Sequence, residues 1–147
     1  MSFLLDTNII SEATKRQPNV ALEAWLERHR ADGLYLSVIT IGELQQGIAR
    51  LPASQRRADL ENWLHGVLLP AYADWILPLD TDTLLQWGTL TGELIVAGRK
   101  MPLADSLLAA TALRHGLTLV TRNTADFNNV PVPVVNPWDD SAEEGAA

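Results

Sequence analysis

The chain predicts an α/β fold: a three-layer α/β/α sandwich around a four- to five-stranded, mostly parallel sheet. Three observations carry this. Short apolar runs at 3–6, 34–38, 75–79, 117–121 and 132–135 alternate with longer segments of helical pattern, and strands separated by helical crossovers pair in parallel. The strand-like runs are apolar nearly throughout, as in strands covered on both faces. With 147 residues, 47% of them hydrophobic, the chain can bury one core and is too short for two ordinary domains.

Each element has its own punctuation. Phe3-Leu4-Leu5 reads as a strand closed by Asp6, with a short helix over about 8–14 behind it. Pro18-Asn19 opens a helix from Val20 to about Arg30, and Gly33 stops it. Leu34-Tyr35-Leu36-Ser37-Val38 is a second strand. Thr40 then starts a helix to about Arg50, Thr40 and Glu43 having the spacing of a capping box, before Pro52 interrupts. A long helix over about 54–69, with a further turn to Tyr72, leads to a third strand at 75–79. Asp80 caps a helix through Trp87 and Leu94 to about Ala97. The helix containing Asp105 ends at His115-Gly116, a strong stop signal. Residues 117–121 form a fourth strand and 132–135 a weak fifth. Residues 1–138 read as one domain, and 139–147, with four acids, as an acidic disordered tail.

Composition narrows the function. There is no cysteine, so disulfides, thiolate metal sites and a cysteine nucleophile are excluded. The start of the chain lacks the basic and long apolar regions of a signal peptide, and the apolar stretch 67–79 is cut by Pro70, Asp74 and Pro78; a cytoplasmic protein without a membrane span is expected. A net charge of −7 argues against holding nucleic acid by bulk positive charge. Basic pairs remain at Lys15-Arg16, Arg56-Arg57 and Arg99-Lys100, each readable as a solvated helix end.

Four acids stand at structural transitions. Asp105 is the lone charge in Pro102-Leu103-Ala104-Asp105-Ser106-Leu107-Leu108-Ala109-Ala110, a helix apolar nearly all round, so its charge needs compensation. Asp6 ends the first strand, Glu43 lies near a helix start, and Asp126 follows the fourth strand. In open α/β sheets ligands bind beyond the carboxyl ends of the strands, so the four can meet in one cleft. Clustered carboxylates repel, and a divalent cation with oxygen preference turns that repulsion into ligation. Such a site orients a phosphodiester and activates water for attack. Each acid also has a structural reading: Glu43 in a capping box, Asp126 as a turn residue, Asp6 as a helix cap, Asp105 neutralised by its own helix terminus. Their joint placement is the stronger argument.

These residues carry a resemblance. Leu4-Leu5-Asp6-Thr7-Asn8-Ile9-Ile10-Ser11, Ile41-Gly42-Glu43-Leu44, the run from Pro102 to Ala112, and Val120-Thr121-Arg122-Asn123-Thr124-Ala125-Asp126-Phe127 resemble the successive motifs of PIN domains, in the VapC and FitB-like branch. The likeness extends to about Trp138. It implies a metal-dependent endoribonuclease, the toxin of a type II toxin–antitoxin pair, using Mg²⁺ or Mn²⁺ on acids matching Asp6, Glu43, Asp105 and Asp126. Thr7 and Asn8 would steady the first acid, and Thr121 and Asn123 would hydrogen-bond around the metal. Many members carry an acid where this chain has Asn123; here the acid comes three residues later, as in the FitB-like branch, and it would act directly or through water. The resemblance also implies an RNA substrate, a homodimer, and a cognate antitoxin lying along an apolar groove, in a larger assembly or alone. Trp25, Leu26, Ile48, Trp63 and Leu64 are candidates for that groove or for ordinary core.

Other chemistries lack their motifs. No phosphate loop, dinucleotide fingerprint or nucleophile elbow is present, and His29, His65 and His115 are isolated from one another, so solvated helix positions are expected for them. A receiver-type phosphoacceptor would need an acidic pair after the first strand and a lysine after the last. Two functions stay open: the ribonuclease, and a PIN-like binding module whose acids grip a basic partner segment without turnover.

Overall fold

A computed structural model describes residues 1–139. The expected tail lies outside the described residues beyond Asp139, which itself ends a last 3₁₀ turn at Pro137–Asp139. Among the described residues five strands make one sheet: β1 (Ser2–Leu5), β2 (Gly33–Ser37), β3 (Ile76–Leu77), β4 (Thr118–Val120) and β5 (Val134–Val135), in the spatial order β3-β2-β1-β4-β5. Every pairing is parallel. The mostly parallel α/β/α sandwich expected from the strand–helix alternation is therefore the fold observed.

Side-chain alternation along the strands divides the core in two. Phe3, Leu5, Leu36 and Val120 point to one face, covered by α1 (Thr7–Ala13), α2 (Val20–Arg28), α3 (Val38–Ala49) and α4 (Gln55–Trp63), where Ile9, Leu22, Trp25, Ile48 and Leu64 pack. Leu4 and Leu119 point to the other face, under α6 (Thr81–Val96) and α7 (Leu103–His115), against Leu90, Leu94, Leu108, Ala109 and Phe127. The small residues of α7 bring it close to α6 and the sheet: Ala109, Ala110 and Ala112 are wholly buried.

Several expected boundaries move for physical reasons. The third helix begins at Val38, because the Ser37 hydroxyl caps it by accepting from the Ile39 amide at 3.0 Å. Thr40 is thus inside the helix and buried, the Thr40–Glu43 capping box does not form, and Glu43 is the sixth helical residue rather than a first-turn acid. The helix expected over 54–69 runs as α4, then a π turn at Leu64–Leu68 closed by the Leu69 amide on the Leu64 carbonyl, then α5 (Leu69–Ala71). The third strand shrinks to two residues, as Pro78 has no amide to donate. Asp80 caps α6 as expected, accepting from the Thr83 amide at 2.9 Å. Gly116 ends α7 with φ +64°, a left-handed conformation that glycine adopts without strain.

The histidines are not simply solvated. His29 rests on Trp25 and Phe3, with ring centroids 4.3 and 4.9 Å away, and its Nδ1 meets Asp32 at 2.7 Å. His115 keeps a buried Nε2 with no partner among the described residues, while His65 is exposed. No described helix is long and apolar enough to cross a membrane.

Candidate active site at the carboxyl edge of the sheet

The chain runs β1, β2, β3 toward one edge and then returns to place β4 on the other side of β1. The reversal leaves a crevice beyond the carboxyl ends of β1 and β4. Register decides what lines it. Leu5 pairs with Val120, so the next residues, Asp6 and Thr121, emerge side by side. The Asp6 amide bonds the Val120 carbonyl at 2.9 Å, and the Thr121 hydroxyl donates to Asp6 Oδ2 at 2.8 Å.

Asp6 caps α1, its Oδ1 accepting from the Thr7 amide at 2.7 Å. The structural reading of Asp6 as a cap and the functional one thus coexist, since each oxygen keeps further lone pairs. Asn8 Nδ2 reaches Asp6 Oδ2 at 3.3 Å and the Thr121 hydroxyl at 3.2 Å, while Asn8 Oδ1 accepts from the Arg122 amide at 3.3 Å. Asn123 contributes its backbone amide, which donates to Thr121 Oγ1 at 3.1 Å. Thr121 is fully buried and therefore fixed.

Thr7 divides its labour: its amide holds Asp6, and its hydroxyl donates to Glu43 Oε1 at 2.6 Å. Thr40, one helical turn before Glu43 on the same face of α3, sits 3.3 Å from the Thr7 hydroxyl. Asp105 occupies the first turn of α7. Beside it the Ser106 hydroxyl accepts from Trp87 Nε1 at 2.9 Å and donates to the Leu103 carbonyl, anchoring that turn to α6. Trp87 and Thr40 were not among the expected site residues; a contact across 19 positions leaves no mark in local pattern. Asp126 lies in a 3₁₀ turn at Thr124–Phe127, its amide on the Asn123 carbonyl at 3.1 Å, so the expected turn role holds and its carboxylate stays exposed.

The four acids feel one another. Burial raises the Asp6 carboxyl above its ordinary value, hydrogen bonds from Thr121 and the Thr7 amide oppose this, and the charges of Glu43 and Asp126 add to the rise. Asp105 is raised by burial first, then by the charges of Asp6, Asp126 and Glu43. Among the described residues none of the four makes a salt bridge. Arg122, next to Thr121, lies over the Trp138 ring at 5.0 Å. The acids converge without closing: no three His, Cys, Asp or Glu side chains among the described residues stand arranged to hold an ion by themselves.

Of the groove candidates, Trp25 and Leu64 are core, at 2% and 1% exposure. Leu26 borders a separate hollow beside Tyr72 and Trp75. Ile48 and Trp63 do line a groove that begins at Thr7 and Glu43.

Comparison with known proteins gives concordant results. A family model for the PIN domain matches residues 3–133. The VapC ribonuclease Y4jK of Sinorhizobium fredii is 40% identical over 136 residues, 92% of this chain and 97% of that protein. Toxin FitB of Neisseria gonorrhoeae is 39% identical over 137 residues, 93% and 99% of the two chains. A crystal structure of FitAcB from Neisseria gonorrhoeae superposes with a TM-score of 0.86 at 38% identity, covering 92% of this chain and 98% of that one.

Proposed function

We propose that this chain, which belongs to the PIN domain family, is a metal-dependent endoribonuclease of the VapC and FitB type, a toxin restrained by a cognate antitoxin and assembling as a homodimer. What supports the reading is that Asp6, Glu43, Asp105 and Asp126 come from four separate elements and act on one another's charge, with no ion pair to any of them among the described residues.

The donor set fits Mg²⁺ or Mn²⁺. All donors are hard oxygens, and Mg²⁺ is commonly held by one or two carboxylates with waters and substrate phosphates rather than by a closed protein cage. Asp6 and Asp105 would be the main ligands, with Glu43 and Asp126 directly or through water. Bound there, the cation would supply neutralisation of phosphodiester charge and an activated water. The chain's own residues do the positioning. Thr121, Asn8 and the Thr7 amide aim the Asp6 carboxylate, and the Thr7 hydroxyl aims Glu43, tying the two acids to one threonine. Because burial raises Asp6 and Asp105, protons compete for the cluster, and cation binding strengthens as pH rises and those protons leave.

Purified protein freed of its antitoxin, given defined RNAs with and without Mg²⁺, tests this. Cleavage is expected only with the metal, and Asp6→Asn is expected to abolish it while thermal unfolding stays cooperative. Wild-type cleavage by that variant would overturn the catalytic assignment. Tight binding of a basic partner segment, with no metal-dependent cleavage of any RNA, would establish the non-catalytic binding module instead.

A further inference from the structure

A groove of about 880 Å³ leads away from the acids between α1, α3 and α4. Thr7 and Glu43 form its near end, Trp63 is half-buried in its wall, and Lys15, Arg16 and Arg56 line its far end. We propose that Arg16 and Arg56, with Lys15 beside them, hold backbone phosphates of single-stranded RNA flanking the scissile bond, while the Trp63 ring offers a face to a base. The proposal rests on the ribonuclease reading and adds to it the residues that bind the strand.

The first argument is electrostatic. A cluster of carboxylates repels a polyanion, so affinity for RNA has to come from cations outside the cluster. The chain has only 11 lysines and arginines against 18 acids, yet three of the 11 border this one groove. The second argument is partnering. Among the described residues Arg16 and Arg56 make no ion pair or side-chain hydrogen bond, and both are exposed. Arg57, adjacent in sequence, is committed to Glu61 at 3.3 Å and to the Leu51 carbonyl at 3.0 Å. Lys15 is paired with Glu12 at 3.0 Å, so it adds less free charge; Asp59 also lines the groove and offsets part of the rest. Guanidinium forks suit phosphate oxygens better than an ammonium does.

The third argument is reach. Thr7 starts α1, a seven-residue helix about 10 Å long, and Lys15 and Arg16 lie in the bend just past its far end. The cations therefore address the flank of a strand whose scissile phosphate lies at the acids. A basic track with an interleaved aromatic ring is how sequence-tolerant sites hold single strands, by phosphate contacts and stacking together.

The test uses the full chain without divalent cations and a labelled single-stranded RNA, with binding followed by anisotropy over a salt series. Replacing Arg16 and Arg56 together by glutamine is expected to weaken binding about tenfold and to flatten the slope of log K against log salt by about 1.4, two phosphates' share on a single strand. Arg16→Lys with Arg56→Lys restores most of the slope, and with Mg²⁺ present the glutamine variant shows a raised KM for long RNA. An unchanged slope overturns the proposal. So does loss of binding to a protein segment with RNA binding intact, which would give the groove to that segment. Cleavage with an arginine-independent slope fails the track alone. Arginine-dependent binding without any cleavage fails the ribonuclease reading alone.

Discussion

Asp105→Asn should stabilise the protein in the absence of divalent cations. Asp105 is lifted by burial and by three neighbouring carboxylates, and no hydrogen bond to its side chain offsets this among the described residues. Its carboxylate is half-exposed, so the repulsion is taken in a water-like medium and discounted for screening. In a water-like medium screened by 0.1 M salt, each nearby like charge costs about 0.2 kcal/mol. Three such neighbours amount to about 0.6 kcal/mol, and relief of desolvation brings the gain to about 1 kcal/mol. For a chain of this size that is about 3 °C in Tm. The sign follows from the raised folded value: the folded state binds the proton more tightly than the unfolded one, so wild-type stability falls as pH rises from the ordinary aspartate value of 3.8 through the folded pKa. The advantage of Asp105→Asn should thus be near zero at pH 4 and full at pH 8. Differential scanning fluorimetry in chelator, at both pH values, measures it. Added Mg²⁺ should raise the wild-type Tm and leave the variant little changed, reversing the order. A variant less stable than wild type at pH 8, or a pH-independent difference, would refute the reasoning that these acids share one strained cluster.

Further substitutions probe the supports. Thr121→Val keeps the shape of a fully buried side chain but removes the donor to Asp6 and the acceptor for Asn8 and the Asn123 amide; cleavage should fall about tenfold, with half-maximal activation moved to higher Mg²⁺ in a metal titration. Gly116→Ala forces a Cβ into a left-handed conformation at φ +64°, and chemical denaturation should show a loss of about 1 kcal/mol. An unchanged midpoint would mean that the α7 terminus relaxes.

Much was legible along the chain because the relevant signals are local. Period and punctuation marked all five strands and the long helices: Asp80 and Gly116 do at their termini what their residue types favour. The buried helix around Asp105 announced itself by being apolar on every side. Strand ends plus the rule that α/β ligands bind beyond them placed Asp6 and Asp126 near one cleft.

What local pattern could not supply was competition between neighbours. Ser37 and Thr40 are both competent caps, and only the paired length of β2, whose Ser37 sits opposite Leu77, makes Ser37 the one used and leaves Glu43 mid-helix. Thr7 carries no sign that its amide serves Asp6 while its hydroxyl serves Glu43, 36 positions away. Arg56 and Arg57 are alike in sequence, but successive helical side chains diverge by about 100°, so one meets Glu61 and the other the groove. The amino-acid sequence by itself determined which segments become strands and helices and which residue types are available at their ends, since those depend on neighbours a few positions apart. Only tertiary structure decided which oxygens face one another and how far apart they rest, because distances between residues such as Asp6 and Thr121 are set by sheet register, and register is a property of the packed whole.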